Sequence, residues 1–121
     1  MTKERHSFRI YSENVNILST PENLVYPSII HIRAEIFDNL LDSNRDLIID
    51  CSFLKRIDLT GIKFFEELYK FQRKLGFNLV LSKVSEPSVI KIFKTLDKNS
   101  ELLRFDTNED AVAFLQKLSI K

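Results

Sequence analysis

The chain has 121 residues, 44% of them hydrophobic and 29% charged, which is the balance of one soluble globular domain and excludes a two-domain enzyme. Its 18 Lys and Arg residues and 17 Asp and Glu residues give a formal net charge of +1 at pH 7. Because no basic excess is available to neutralise phosphates, the composition argues against nucleic acid and anionic lipid surfaces as partners.

The first elements form a hairpin and a helix. Residues 1–7 are predicted to fray, and apolar alternation at 8–11 and 15–18 predicts two strands joined by a polar turn. The sequence Tyr26-Pro27-Ser28 then opens a first helix that ends near residue 41, since proline suits a first helical turn and serine can cap one.

Two apolar stripes run along this first helix, which makes its apolar arc broad. One stripe is Ile29, Ile32, Ile36 and Leu40, and the other is Ile30, Ala34, Phe37 and Leu41. We expect both stripes to be buried within the domain. The alternative is that the second stripe forms the surface of a homodimer.

The rest of the chain alternates strands with helices. Strands are predicted at 46–51, 77–81 and 102–105. Helices are predicted at 61–75, with Gly76 as a left-handed C-cap, and from residues 86 and 107 onward. The element order is therefore ββαβαβαβα. Strands joined by helices need parallel crossovers and the hairpin is antiparallel, so we expect one α/β domain over residues 1–121 with a mixed sheet.

No motif for metal, cofactor or nucleophile chemistry can be written on this sequence. Gly61 and Gly76 are isolated, so a phosphate-binding loop is absent. His6 and His31 have no second histidine nearby with which to share a metal, and Cys51 has no basic neighbour to lower its pKa. We predict no catalytic residue, no metal and no cofactor. A single cysteine and apolar runs far below the roughly 18 residues of a membrane span predict a cytoplasmic location without membrane insertion.

One segment stands out, the sequence Ile57-Asp58-Leu59-Thr60-Gly61 between a predicted strand and the second helix. It places a carboxylate, a hydroxyl and a flexible glycine at a helix N-terminus, where Asp58 or Thr60 can cap the helix. The free N–H groups and the positive end of the helix dipole also favour an added phosphate there. The segment is interpreted as a helix cap or as a phosphate-controlled switch.

Five segments of the sequence carry a family resemblance: the apolar strand at 47–50, the loop at 58–61, the helix that ends at Gly76, the strand at 77–81 and the closing helix with Asn-Glu-Asp-Ala at 108–111. Taken together, they resemble the STAS family. This is the sulphate-transporter and anti-sigma-factor-antagonist domain. The resemblance implies a four- or five-stranded sheet with about four helices, mainly on one side, no catalysis, and protein binding through the loop and the helix after it. In bacterial anti-sigma factor antagonists, the unphosphorylated domain binds an anti-sigma factor that is also a serine kinase, and phosphorylation ends the complex.

The family loop reads Asp-Ser-Ser/Thr-Gly, and this chain departs from it at one position. Asp58, Thr60 and Gly61 match the pattern, whereas Leu59 stands at the phosphoacceptor position. Leucine cannot be phosphorylated, so Thr60 is the remaining candidate acceptor, or it is only a helix cap.

The resemblance places the partner-binding surface on the loop and the start of the second helix. The predicted surface consists of Asp58, Leu59, Thr60, Gly61, Ile62, Lys63 and Glu67. An exposed Leu59 beside Ile62 would anchor a protein contact, and the alternative is a Leu59 packed on the domain's own core. The first functional hypothesis is a regulatory module that binds an anti-sigma factor or switch kinase. The second is a structural accessory subunit of a transport or multi-protein signalling complex, using the same surface without phosphorylation.

Overall fold

The computed structural model describes residues 6–96 and 102–119. The strands are β1 (Ser7–Ser12), β2 (Val15–Ser19), β3 (Asn23–Leu24), β4 (Asp46–Asp50), β5 (Arg56–Ile57), β6 (Leu79–Ser82) and β7 (Arg104–Phe105). The helices are α1 (Tyr26–Leu41), α2 (Leu59–Leu75), α3 (Pro87–Leu96) and α4 (Asn108–Ser119). Five strands form one sheet in the order β1-β2-β4-β6-β7, with β1 antiparallel to β2 and the other pairs parallel. The predicted α/β class, mixed sheet and four helices are confirmed.

The sheet separates two layers of helices. Along the central strand β4, Leu47 and Ile49 pack with residues of α1, α2 and α3, whereas Ile48 points to the other face and packs with α4. All three side chains are fully buried, because a strand covered on both faces exposes neither set of alternating side chains. This explains why the strand has a continuous apolar run, and it confirms its predicted place in the middle of the sheet.

The predicted two-sided burial of α1 is wrong. The stripe that contains Ile29 and Ile36 is buried, but in the second stripe Ile30 is 57% exposed and Leu41 is 54% exposed. Phe37 is partly buried because its ring meets the ring of Phe71 edge-on at 5.1 Å. The helix packs on the sheet with one face and on α2 with one flank, so most of its second stripe remains in solvent.

Several boundaries differ from those predicted. The strands β3 and β5 were not predicted, and they form a separate two-stranded parallel sheet. Strands of two residues are too short to show a periodicity, which explains the omission. The helix α2 begins at Leu59 and not at residue 61. The strand expected at 77–81 is β6, which starts two residues later, and the strand expected at 102–105 is β7, which has only two residues.

The start of the chain carries part of the fold. The predicted fraying at residues 1–5 falls outside the described residues, whereas Ser7 is already the first residue of β1. The side chain of His6 is 9% exposed, with its Nε2 atom 3.8 Å from Oε1 of Glu35 on α1. Over residues 6–96 and 102–119, no helix combines the length and the apolar character that a membrane crossing needs.

Candidate functional site

A single carboxylate organises the start of two helices. Asp58 is the N-cap of α2, and its Oδ1 atom accepts a hydrogen bond of 3.0 Å from the backbone N–H of Gly61. Its Oδ2 atom accepts a second hydrogen bond of 3.2 Å from the backbone N–H of Tyr26, the first residue of α1. The predicted cap on α2 is therefore Asp58. The predicted serine cap on α1 is wrong, because Val25 is the N-cap and makes no side-chain cap bond.

Gly61 serves close packing. A Cβ atom at this position would lie 2.3 Å from the carbonyl oxygen of Leu24 and 2.5 Å from Cγ1 of Ile57. The first turn of α2 thus rests directly on the backbone of β3. The glycine was interpreted as a flexible element of a switch, but its position in the structure requires the absence of a side chain.

The predicted surface residues differ in how exposed they are. Leu59 is 48% exposed at the first position of α2, Lys63 is exposed, and Thr60 is half-buried. Ile62 is only 1% exposed and belongs to the core, so it does not join Leu59 on the surface. Glu67 is exposed, but its Oε1 atom accepts a 2.9 Å charged hydrogen bond from Nη2 of Arg33 on α1.

Three further exposed apolar residues were not part of the predicted partner-binding surface. Tyr26 and Ile30 of α1 are 61% and 57% exposed. Phe53 is 61% exposed in the turn closed by the hydrogen bond from Leu54 N to Cys51 O. The available signal for Ile30 was its place in the second apolar stripe of the helix, which Tyr26 extends by four residues towards the N-terminus. For Phe53 it was an aromatic residue in a short loop between Ser52 and Leu54. Single exposed apolar residues are common, but Tyr26 and Leu59 lie together at the two helix starts that Asp58 connects, which favours a contact surface there.

A second polar group lies on the α4 side of the sheet, at the carboxyl ends of its parallel strands. Asp50 of β4 is 5% exposed and accepts hydrogen bonds from Ser52 N at 2.9 Å and from Nδ2 of Asn108 at 3.2 Å. Burial alone would raise the pKa of the Asp50 carboxyl, but the hydrogen bonds from Ser52 and Asn108 and the charge of Lys83 hold that pKa below its ordinary value. Ser82 completes the group by donating to Oδ1 of Asn108. The group ties α4 to the sheet.

The thiol of Cys51 is buried, and burial raises its pKa well above the ordinary value, so it stays protonated near neutral pH. In the part of the chain that the structure describes, no cluster of three or more His, Cys, Asp or Glu residues is arranged to hold a metal ion.

The comparisons with known proteins agree on one fold. The family model of the STAS domain matches residues 10–111. A putative anti-sigma factor antagonist from Thermotoga maritima has a similar structure, with a TM-score of 0.79 at 17% identity over 96% of this chain and 99% of that chain. A Ser-to-Glu variant of RsbS from Moorella thermoacetica has a TM-score of 0.76 at 19% identity over 97% of this chain and 99% of that chain. A chain of the stressosome, described as a signal integration and transduction hub, has a TM-score of 0.68 at 14% identity over 95% of this chain and 100% of that chain. No curated protein matches the sequence significantly.

Proposed function

The chain belongs to the STAS domain family, and on that premise we propose that it is a non-catalytic regulatory module that binds a protein partner through loop 58–61 and the start of α2. The proposed partner is an anti-sigma factor or switch kinase, and the proposed compartment is the cytoplasm. The similarity to an anti-sigma factor antagonist and to RsbS supports the class of protein. At identities of 17% and 19% it is a likeness of fold, so the partner itself must be tested.

The observation that carries the proposal is the exposure of Leu59. This leucine begins α2 directly after the cap Asp58, and 48% of its surface is open to solvent. It stands where the family loop has a hydroxyl, and burying one leucine side chain contributes about 1.5–3 kcal/mol. About half of that gain remains available to a partner, because the leucine already packs partly on its own domain.

Thr60 is the candidate phosphoacceptor. It is half-buried at the second position of α2. The Asp58 carboxylate already accepts the capping hydrogen bond from the backbone N–H of Gly61, so the threonine hydroxyl is not needed as the cap. A phosphate there would add about −1.5 to −2 charges beside Leu59. Such a charge next to an apolar anchor would have to be desolvated in the complex, which weakens binding.

The proposal is tested by affinity capture from cytoplasmic extract with the wild type and Leu59→Asp, followed by mass spectrometry. We expect a protein with a kinase-type ATPase domain to be captured by the wild type and lost from Leu59→Asp. The control is Leu103→Asp, because Leu103 is 45% exposed and directly precedes β7, an edge strand of the five-stranded sheet. Equal capture by both variants would contradict the proposal.

An alternative is a permanent accessory subunit of a signalling or transport complex, on the same surface. Leu59 favours it, because a leucine at the acceptor position removes the usual switch. The similarity to a stressosome chain supports a role in a multi-protein assembly. Thr60→Glu and Thr60→Gln separate the two functions, since they differ in charge but hardly in size. A phosphate-controlled contact is weakened by Glu and kept by Gln, whereas a permanent contact treats both alike.

A further inference from the structure

We propose that the docking surface extends onto α1, where Tyr26 and Ile30 join Leu59, and that its partner presents a large apolar side chain flanked by carboxylates. This inference rests on the proposed function of loop 58–61. It adds a second helix to that surface and states the chemistry of the partner that the surface fits.

The spacing along α1 places both added residues on the flank that meets α2. Tyr26, Ile30, Arg33 and Phe37 are separated by four, three and four residues and therefore share one helical stripe. The two members further along the helix touch α2. Arg33 makes its ion pair with Glu67, and its guanidinium lies 4.8 Å from the ring centroid of Phe37, which itself packs on α2. Tyr26 and Ile30 continue this flank towards the helix starts, where they are exposed.

The two helix starts are held in a fixed relation. The Asp58 carboxylate bonds both Tyr26 N and Gly61 N, so one side chain connects the first turns of α1 and α2. Gly61 lets α2 approach β3 closely, and β3 leads directly into α1. Tyr26 and Leu59 thus need little reordering before they bind, which lowers the entropic cost of association. Large apolar side chains in such fixed positions are the residues that dominate protein interfaces.

Two exposed basic residues flank Leu59 along the chain. Arg56 precedes Leu59 by three residues and Lys63 follows it by four, and both are exposed. Neither makes an ion pair with a carboxylate within residues 6–96 and 102–119. Two nearby carboxylates are already in use, since Asp58 accepts two backbone N–H groups and Glu67 accepts from Arg33. The Asp58 carboxylate already caps the positive ends of both helices, so it is the side chains of Arg56 and Lys63 that carboxylates on the partner would complement.

The experiment is a selection from a random-peptide phage-display library on the immobilised wild-type chain, followed by affinity measurement of the enriched peptides. We expect these peptides to combine an aromatic or aliphatic residue with Asp or Glu. We expect Tyr26→Ser to weaken them by about tenfold or more, and Lys63→Glu by about threefold or more, with a larger effect at low salt.

The control variant is Lys74→Glu, which makes the same charge change about 16 Å further along α2 and should leave binding unchanged. Circular dichroism of each variant verifies that it is folded. Enrichment of peptides without an acidic bias, equal binding to Tyr26→Ser, or no enrichment at all would overturn the inference.

The outcomes that would refute this inference differ from those that would refute the proposed function. A cytoplasmic partner that is lost from Leu59→Asp, together with peptides that ignore Tyr26, would refute only the extension onto α1. Acidic peptides bound as expected, without any cytoplasmic partner, would refute only the proposed function.

Discussion

The carbonyl oxygen of Leu24 limits what can stand at position 61. A Cβ atom there would lie 2.3 Å from this oxygen and 2.5 Å from Cγ1 of Ile57, so β3 or α2 must shift to accept any side chain. In an unobstructed helix, Gly→Ala stabilises by about 1 kcal/mol, whereas overpacking a well-packed site costs about 1–3 kcal/mol. Because the closer contact is with backbone, we expect the clash to prevail. Gly61→Ala should lower the free energy of unfolding by up to about 2 kcal/mol.

Urea unfolding followed by circular dichroism measures this change, and thermal unfolding should show a loss of about 4 °C per kcal/mol for a chain of this size. Gly76 is the matched control, because its φ of +92° is left-handed while a Cβ there would meet nothing within 4 Å. Asparagine adopts left-handed backbone readily, so Gly76→Asn should be nearly neutral and Gly61→Asn strongly destabilising. A Gly61→Ala variant more stable than the wild type would refute the packing argument.

Three further predictions concern carboxylates and the exposed leucine. Asp58→Ala should lower the free energy of unfolding by about 2 kcal/mol, since it removes the cap of α2 and the bond to Tyr26. Asp58→Asn should lose no more than half as much, and equal losses of the two variants in urea titrations would contradict this. The folded-state pKa of Asp50 lies below its ordinary value, which is also that of the unfolded chain. Its ionised form therefore adds stability above the unfolded-state pKa, and this stability is lost as pH falls through the folded-state pKa. Asp50→Asn should therefore flatten the acid limb of a stability–pH profile, and an unchanged limb would argue against it. Leu59→Asp should change stability by no more than about 1 kcal/mol, because the residue is half exposed and Asp suits a first helical turn; a larger loss would mean that its binding defect reflects unfolding.

The fold could be predicted because its main elements have strong periodic signals. The apolar run at Leu47–Ile49 identified a strand covered on both faces, and Gly76 identified the end of α2. The strands β3 and β5 could not be predicted, because two residues carry no periodicity. The exposure of Ile30 was also missed, since an apolar arc shows which side chains favour burial without showing whether a neighbour covers them.

The candidate site was predicted in part. The pattern at Asp58 indicated a helix cap, and the structure adds its second bond to Tyr26, which joins residues 32 positions apart. No local pattern can reveal such a long-range contact. Ile62 was assigned to the surface by the resemblance to the family's loop and helix start, but it lies in the core at 1% exposure, whereas Leu59, three residues before it, is 48% exposed.

The most direct measurement of the central claim is the dissociation constant between the wild-type chain and its captured partner, compared with the constants for Leu59→Asp and Leu103→Asp by isothermal titration calorimetry. If Leu59 anchors the partner, the first variant binds at least about 30-fold more weakly, and the second binds like the wild type. Equal affinity of all three proteins would contradict a docking site at the start of α2.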